Sequence, residues 1–163
     1  MNYLSGDKLT LFGDTYTLQL KENLRANTVR KEGNEIILSC NPNYSAATRK
    51  KCLDCFYTKQ LALLMNNLLP KWQEAMNEHN VRFSLRTMNT RWGSCTPKKR
   101  TIRFSTLLAS KSQEQIEYVI VHELSHLKEP NHSHAFWKIV EQYIPNYKEL
   151  RYKLNHADNN TNS

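Results

Sequence analysis

His122 and His126 stand four residues apart with Glu123 between them, in the string VHELSH. On an α-helix, positions four apart project from one face, so two imidazoles at this spacing can meet one zinc ion at about 2.0–2.1 Å. Glu123 lies about 100° around the helix from His122, beside such an ion rather than aimed at it. A carboxylate there can hold and deprotonate a zinc-bound water as general base. A catalytic zinc also needs a third protein ligand and a position left open for water. His132 follows His126 by six residues, beyond Pro130, the same offset as in the pattern HExxHxxGxxH. Here Lys128-Glu129-Pro130-Asn131 must make the turn that a glycine makes in that pattern. His134 and Glu141 are the alternative third ligands.

These side chains need a helix to carry them and a core to hold it. Val119, Ile120, Val121, Leu124 and Leu127 leave the segment nearly apolar apart from its histidines and Glu123, as expected of a buried helix. Ser112 or a neighbour caps its start, and the pattern predicts helix from about Gln113 to Lys128, ended by Pro130-Asn131. Buried imidazoles need partners, and a metal would supply one. A metal-bound histidine usually passes its other ring proton to a carboxylate or carbonyl, and Glu129 and Glu141 are the nearest acidic candidates. Two short helices follow, Ser133 to Tyr143 and Pro145 to Leu154. Phe136 and Trp137 are expected to pack the first of them on the histidine helix, and Tyr143 and Tyr147 are candidate transition-state donors.

Upstream, KLTLF, Gly13-Asp14 and TYTLQL read as a β-hairpin, because Tyr16, Leu18 and Leu20 alternate with polar neighbours. A second hairpin joins Asn27–Arg30 to Glu35–Ser39, with Gly33 free to take a positive φ. Ser45 is a plausible N-cap for a long helix carrying Leu53, Phe56, Leu61, Leu64, Met65 and Leu68. Pro70 lacks an amide hydrogen and disfavours helix at the residue before it, which predicts a break at Leu69-Pro70 and a second helix from Lys71 to about His79. Val81–Met88 and Thr101–Ser105 read as strands of a small antiparallel sheet. RWGSC, from Arg91 to Cys95, is expected to bend tightly at Gly93 with Trp92 in the core; the functional alternative turns Arg91 or Cys95 toward the cleft. The class is therefore α+β, with one domain over 1–154 and a disordered polar tail over 155–163.

With 163 residues, one core is expected, burying roughly two thirds of the unfolded surface. The formal charge of +8 favours approach to anionic partners, including nucleic acid and nucleotides, although the basic residues are scattered apart from short clusters such as Arg49–Lys51 and Lys98–Arg100. Four glycines leave no phosphate-binding loop or dinucleotide fingerprint. No leader or membrane span is evident, so a cytoplasmic protein is expected, with Cys40, Cys52, Cys55 and Cys95 as reduced thiols. Cys52 and Cys55 form a CxxC, but in mid-helix and without a second pair, so a redox or zinc-ribbon site is not expected.

VHELSHLKEPNHSHAFW, together with TRWGSC and IRFS upstream, resembles the YgjP-like family of metal-dependent hydrolases, related to zincin metallopeptidases. The likeness extends to Gly13-Asp14-Thr15-Tyr16 and to Pro145–Tyr147. It implies a minimal zincin fold in which His122, His126 and His132 bind the metal and Glu123 is the base, with the strand Thr101–Ser105 beside the cleft. His134 departs from the family pattern. The reaction expected is hydrolysis by a zinc-bound water, peptide bonds being the first substrate to consider and a peptide or protein the expected partner. A nucleotide or other phosphoanhydride is the second substrate, and a DNA-associated zinc module acting on DNA-bound proteins is the third reading.

Overall fold

A computed structural model of the chain describes residues 1–156. The hairpin signals lead to β1 (Lys8–Leu11) against β2 (Asp14–Glu22) and to β3 (Thr28–Glu32) against β4 (Glu35–Cys40), both pairs antiparallel. Gly33 takes φ +58 in the second turn, as its place between Glu32 and Asn34 requires. The hairpins are joined side by side through a parallel pairing of β2 with β4, in the order β1-β2-β4-β3. Alternation then puts Leu9, Leu11, Tyr16, Leu18, Ile36 and Leu38 into the core.

Ser45 caps α1 (Ala46–Met76) by accepting a hydrogen bond from the Thr48 amide. The helix runs through Pro70 without the predicted break. Pro70 lies on the exposed face, and so does Asn66, whose carbonyl loses its amide partner to the proline ring and can be solvated instead. Packing holds the turns beyond it. Leu68, Leu69 and Met76 are buried, while Trp72 Nε1 donates to Glu117 at 2.9 Å and Lys71 Nζ at 2.7 Å. Tertiary contacts on both sides of the proline thus outweigh its local preference.

The second sheet consists of β5 (Arg82–Arg86), β6 (Gly93–Thr96) and β7 (Thr101–Ser105), in the order β5-β7-β6. It is mixed rather than antiparallel: β5 runs parallel to β7, and only β6 opposes it. The RWGSC segment is not a tight bend but supplies most of β6. Phe83, Leu85, Ile102, Phe104 and Cys95 share the inward face that packs on α2 (Gln113–Ser125). Ser112 and Gln115 form a reciprocal capping box at the start of that helix. The helix ends at Ser125, three residues before the expected Lys128, but its C-cap His126 keeps helical angles and the amides of residues 126 to 128 tighten to i→i−3 bonds of 3.1–3.2 Å.

Two short helices follow, α3 (His134–Tyr143), capped by Ser133, and α4 (Tyr147–His156). Asn155 and His156, expected in the disordered tail, form the last residues of α4; residues 157–163 lie outside the described part of the chain. No described helix is long and apolar enough to cross a membrane.

Candidate metal centre

α2 and its C-cap residue present His122 and His126 one turn apart, with ring centroids 5.2 Å from each other. The turn over 128–131 and the start of α3 bring His132 back over them, its ring 5.1 Å from His122 and 4.7 Å from His126. The three residues offer ligand nitrogens that all lie within 4.8 Å of one another. His134 is exposed at the first position of α3 and Glu141 is exposed further along it, and neither joins the group. Of the three candidates for the third position, the fold brings only His132 to the pair.

The other ring nitrogens decide what this group could hold. His126 Nδ1 lies 3.2 Å from the Glu129 carbonyl oxygen, which can only accept, so Nδ1 carries the proton and Nε2 keeps its lone pair. His122 Nδ1 faces the Tyr118 hydroxyl at 3.3 Å, which leaves its Nε2 toward His132 Nε2 at 3.2 Å. Nitrogens bound to one tetrahedral zinc at about 2.0–2.1 Å stand about 3.3–3.4 Å apart, so this spacing fits a shared cation. Burial pushes the His122 imidazole down to about 3, assisted by the neighbouring His126 and His132 and by Arg151. His126 is also shifted down, chiefly by burial, against the opposing pull of the Glu129 carbonyl. Neutral imidazoles with outward lone pairs are the form in which histidine binds a metal.

Phe136 closes the floor, fully buried, with its ring 4.5 Å from His126 and 4.9–5.0 Å from His132 and His122. Trp137 stacks on His132 at 5.9 Å and on Tyr147 at 5.2 Å, so α3 and α4 together hold the third histidine in place. Tyr143 turns instead to Trp72 on α1, and neither it nor Tyr147 lines the cleft. The tyrosine at the site is Tyr118. Its signal was present in the sequence as a position one turn before His122 on the same helix face. Tyr118→Phe removes the hydroxyl that fixes the His122 ring and is expected to weaken zinc binding about 10–100-fold, read by competition with a chromogenic chelator.

Glu123 is 4% exposed, and its carboxylate receives no hydrogen bond among the described residues. It opens into a cavity of about 980 Å³ that is also lined by all three histidines. Burial pushes its carboxyl up to about 7, with Arg91 pulling the other way. Cys95 lines the same cavity, and its thiol is pushed up to about 11, first by burial and then by Glu123. It is not part of the three-histidine group.

The strand beside the cleft is β6, through Gly93, Ser94 and Cys95, rather than the expected Thr101–Ser105, which lies at the centre of its sheet. Trp92 is half-buried: it packs against the edge of the core and also lines the cavity, with Lys111 Nζ 5.1 Å above its ring. Gly93 is needed for room. A Cβ there would lie 3.0 Å from Glu123 Cγ and 3.2 Å from the Arg103 carbonyl oxygen. Gly93→Ala is expected to cost about 1–3 kcal/mol in a denaturant melt and to lower turnover by displacing the Glu123 carboxylate.

The fold and the sequence have relatives among known proteins. The fold is similar to the crystal structure of the metallopeptidase zymogen of Pyrococcus abyssi abylysin, with a TM-score of 0.52 and 25% identity over 57% of this chain and 95% of that one. The metallopeptidase zymogen of Methanocaldococcus jannaschii jannalysin has the same kind of fold, with a TM-score of 0.51, 20% identity and the same coverage. A UTP pyrophosphatase of Escherichia coli (strain K12) is 33% identical over 54 residues, a match spanning 33% of this chain and 32% of that protein. The family described as YgjP-like, metallopeptidase domain matches residues 1–157, nearly the whole length over which the site and its supporting elements are built, and the chain belongs to that family.

Proposed function

We propose that the chain is a zinc-dependent hydrolase in which His122, His126 and His132 hold the ion through Nε2 and Glu123 is the general base. The observation that carries this reading is the convergence of three histidine nitrogens beside a buried carboxylate that no protein donor occupies. Three imidazoles without a carboxylate suit zinc, and three protein ligands leave a fourth position open to the cavity. Bound there, zinc would supply a Lewis acid that polarises an electrophilic oxygen and makes water acidic near neutral pH.

The chain's own residues supply the rest. A Glu123 oxygen accepts a proton from the attacking water as its oxygen bonds to the substrate carbonyl carbon. The same carboxyl then gives that proton to the amide nitrogen as the C–N bond breaks. A carboxyl held largely out of water and facing the cavity, able to pass between its two forms, suits both halves of this exchange. Phe136 keeps water from the back of the site. The reading includes a cytoplasmic setting, which four cysteines that are all free thiols support.

Peptide bonds are the first substrate class, supported by the family description and by the likeness to abylysin. A specific observation favours phosphoanhydrides as the second: Arg91, Lys111 and Arg151 line the cavity, and Glu123 is its only acidic residue among those described. Such a lining suits a triphosphate, and the partial match to a UTP pyrophosphatase points the same way.

The test is a panel of peptides and nucleoside triphosphates offered to zinc-loaded protein and to Glu123→Gln. Peptide cleavage that the substitution abolishes supports the first substrate. Release of pyrophosphate without peptide cleavage selects the second. No turnover of any substrate by fully zinc-loaded protein would reject a hydrolase.

A further inference from the structure

The outward face of the second sheet carries charge of one sign. Arg82 and Arg86 of β5 and Arg103 of β7 are all exposed, and pairing registers put Arg103 opposite Ser84, between the two β5 arginines. On the other side Arg103 faces Ser94 of β6. The three strands, RFSLR, GSCT and TIRFS, contain no acidic residue. None of the three arginines forms an ion pair or a side-chain hydrogen bond among the described residues, although Arg100 close by is paired with Glu78 at 2.8 Å. Exposed Lys98 and Lys99, at the turn from β6 into β7, extend the same sign.

A strand rises about 3.3 Å per residue and neighbouring strands lie about 4.8 Å apart, so the three arginines are spaced about 8 Å from one to the next in a shallow zigzag. The inward residues of these strands are fully used in packing, so this face does no work for the core. Leaving three guanidinium groups side by side and unpaired costs repulsion, which a polyanion would relieve. The face also adjoins the cavity. Ser94 belongs to both, and Arg86 leads into the segment of which Met88 to Trp92 line the metal site.

We propose that this arginine face binds the phosphate backbone of a nucleic acid strand and leads it along the sheet to the rim of the cavity. A strand of regularly spaced, fully ionised phosphates matches a row of forked guanidinium donors on a flat surface bordered by neutral serines. Contacts of this kind carry no base preference, so the binding is independent of sequence. The inference stands apart from the identity of the bond hydrolysed.

The test uses zinc-loaded full-length protein and a fluorescein-labelled single-stranded DNA of about 20 nucleotides, with anisotropy read between roughly 50 and 200 mM salt. Three phosphates neutralised predict a slope of log K against log salt of about −2 to −3. In R82S/R86S/R103S the slope should shrink to below about 1 in magnitude, with at least a tenfold loss of affinity at low salt. The single R103S, the smaller perturbation, should lower the slope by about 0.7–0.9. R82K/R86K/R103K should keep it. K51S/K59S/K148S removes equal charge from exposed positions elsewhere and should leave the slope unchanged. Zinc content and circular dichroism should stay at wild-type levels in every variant.

Equal weakening by K51S/K59S/K148S and R82S/R86S/R103S would overturn the proposal in favour of a general effect of net charge. Tighter binding of labelled polyglutamate than of DNA, lost on arginine substitution, would overturn it in favour of an acidic polypeptide. Absence of DNA binding at the lowest salt would overturn it outright.

Discussion

Glu123→Gln is expected to lower the hydrolytic rate by about 10²–10⁴-fold while leaving zinc content at the wild-type level. The substitution keeps the shape of the side chain between Gly93 and the histidines, so the packing around Glu123 Cγ need not change. What it removes is the site that accepts a proton, since an amide oxygen is a far weaker base than a carboxylate. In the proposed site the ligand nitrogens all belong to histidines, which is why metal binding should survive. The variant also separates catalytic loss from structural damage. The folded carboxyl is raised to about 7 from its ordinary value of 4.5, so ionising it away from water costs stability that sets in as pH rises between those values. An amide is spared this cost, so after zinc removal at pH 8 the variant should melt no lower than the wild type. A large loss of activity accompanied by a lower melting temperature would mean that Glu123 acts through the fold instead.

His126→Ala is expected to abolish stoichiometric zinc binding and with it the stabilisation that zinc gives the folded state. A ligand present at 1,000 times its Kd contributes about 4 kcal/mol, since it binds only the native form. For a chain of this size each kcal/mol moves Tm by about 2–4 °C, so zinc should raise the wild-type Tm by about 8–16 °C. Adding a chelator should remove that increment from the wild type and change nothing in the variant. Loss of the ring stacked 4.5 Å from Phe136 will itself lower the variant's baseline, so the response to chelator is the informative quantity. His134→Ala is the matched control. This histidine is exposed at the start of α3 and outside the cluster, so its replacement should leave both zinc binding and the chelator response intact.

The features that local chemistry decides were legible in the sequence. Ser45 and Ser112 are caps because their hydroxyls reach the amides three residues on, which depends on nothing distant. The grouping of His122 with His126 follows from helical periodicity, and the offset of His132 pointed to the third member that the fold assembles. Both N-terminal hairpins were readable from alternation and turn residues.

What was not legible depends on partners far away in the chain. The parallel pairings of β2 with β4 and of β5 with β7 leave no mark in the alternation of either strand. Pro70 carried a true local preference for a break, which packing of Leu68, Leu69, Trp72 and Met76 overrides. Gly93 looked like a turn residue because glycine serves turns more often than it makes room for a side chain, and its neighbour Glu123 lies 30 positions along the sequence. The second interaction of His126 was sought among acidic side chains and proved to be the main-chain carbonyl of Glu129, which composition cannot reveal. The arginine face emerged only when pairing placed Arg103 between Arg82 and Arg86.

The most direct test of the central claim is the metal content of the purified protein after metal-replete expression, measured by mass spectrometry of the elements beside the His126→Ala variant. The predicted result is about one zinc per chain in the wild type and close to none in the variant. A wild-type protein that holds no transition metal at neutral pH, or a variant that holds as much as the wild type, would contradict it.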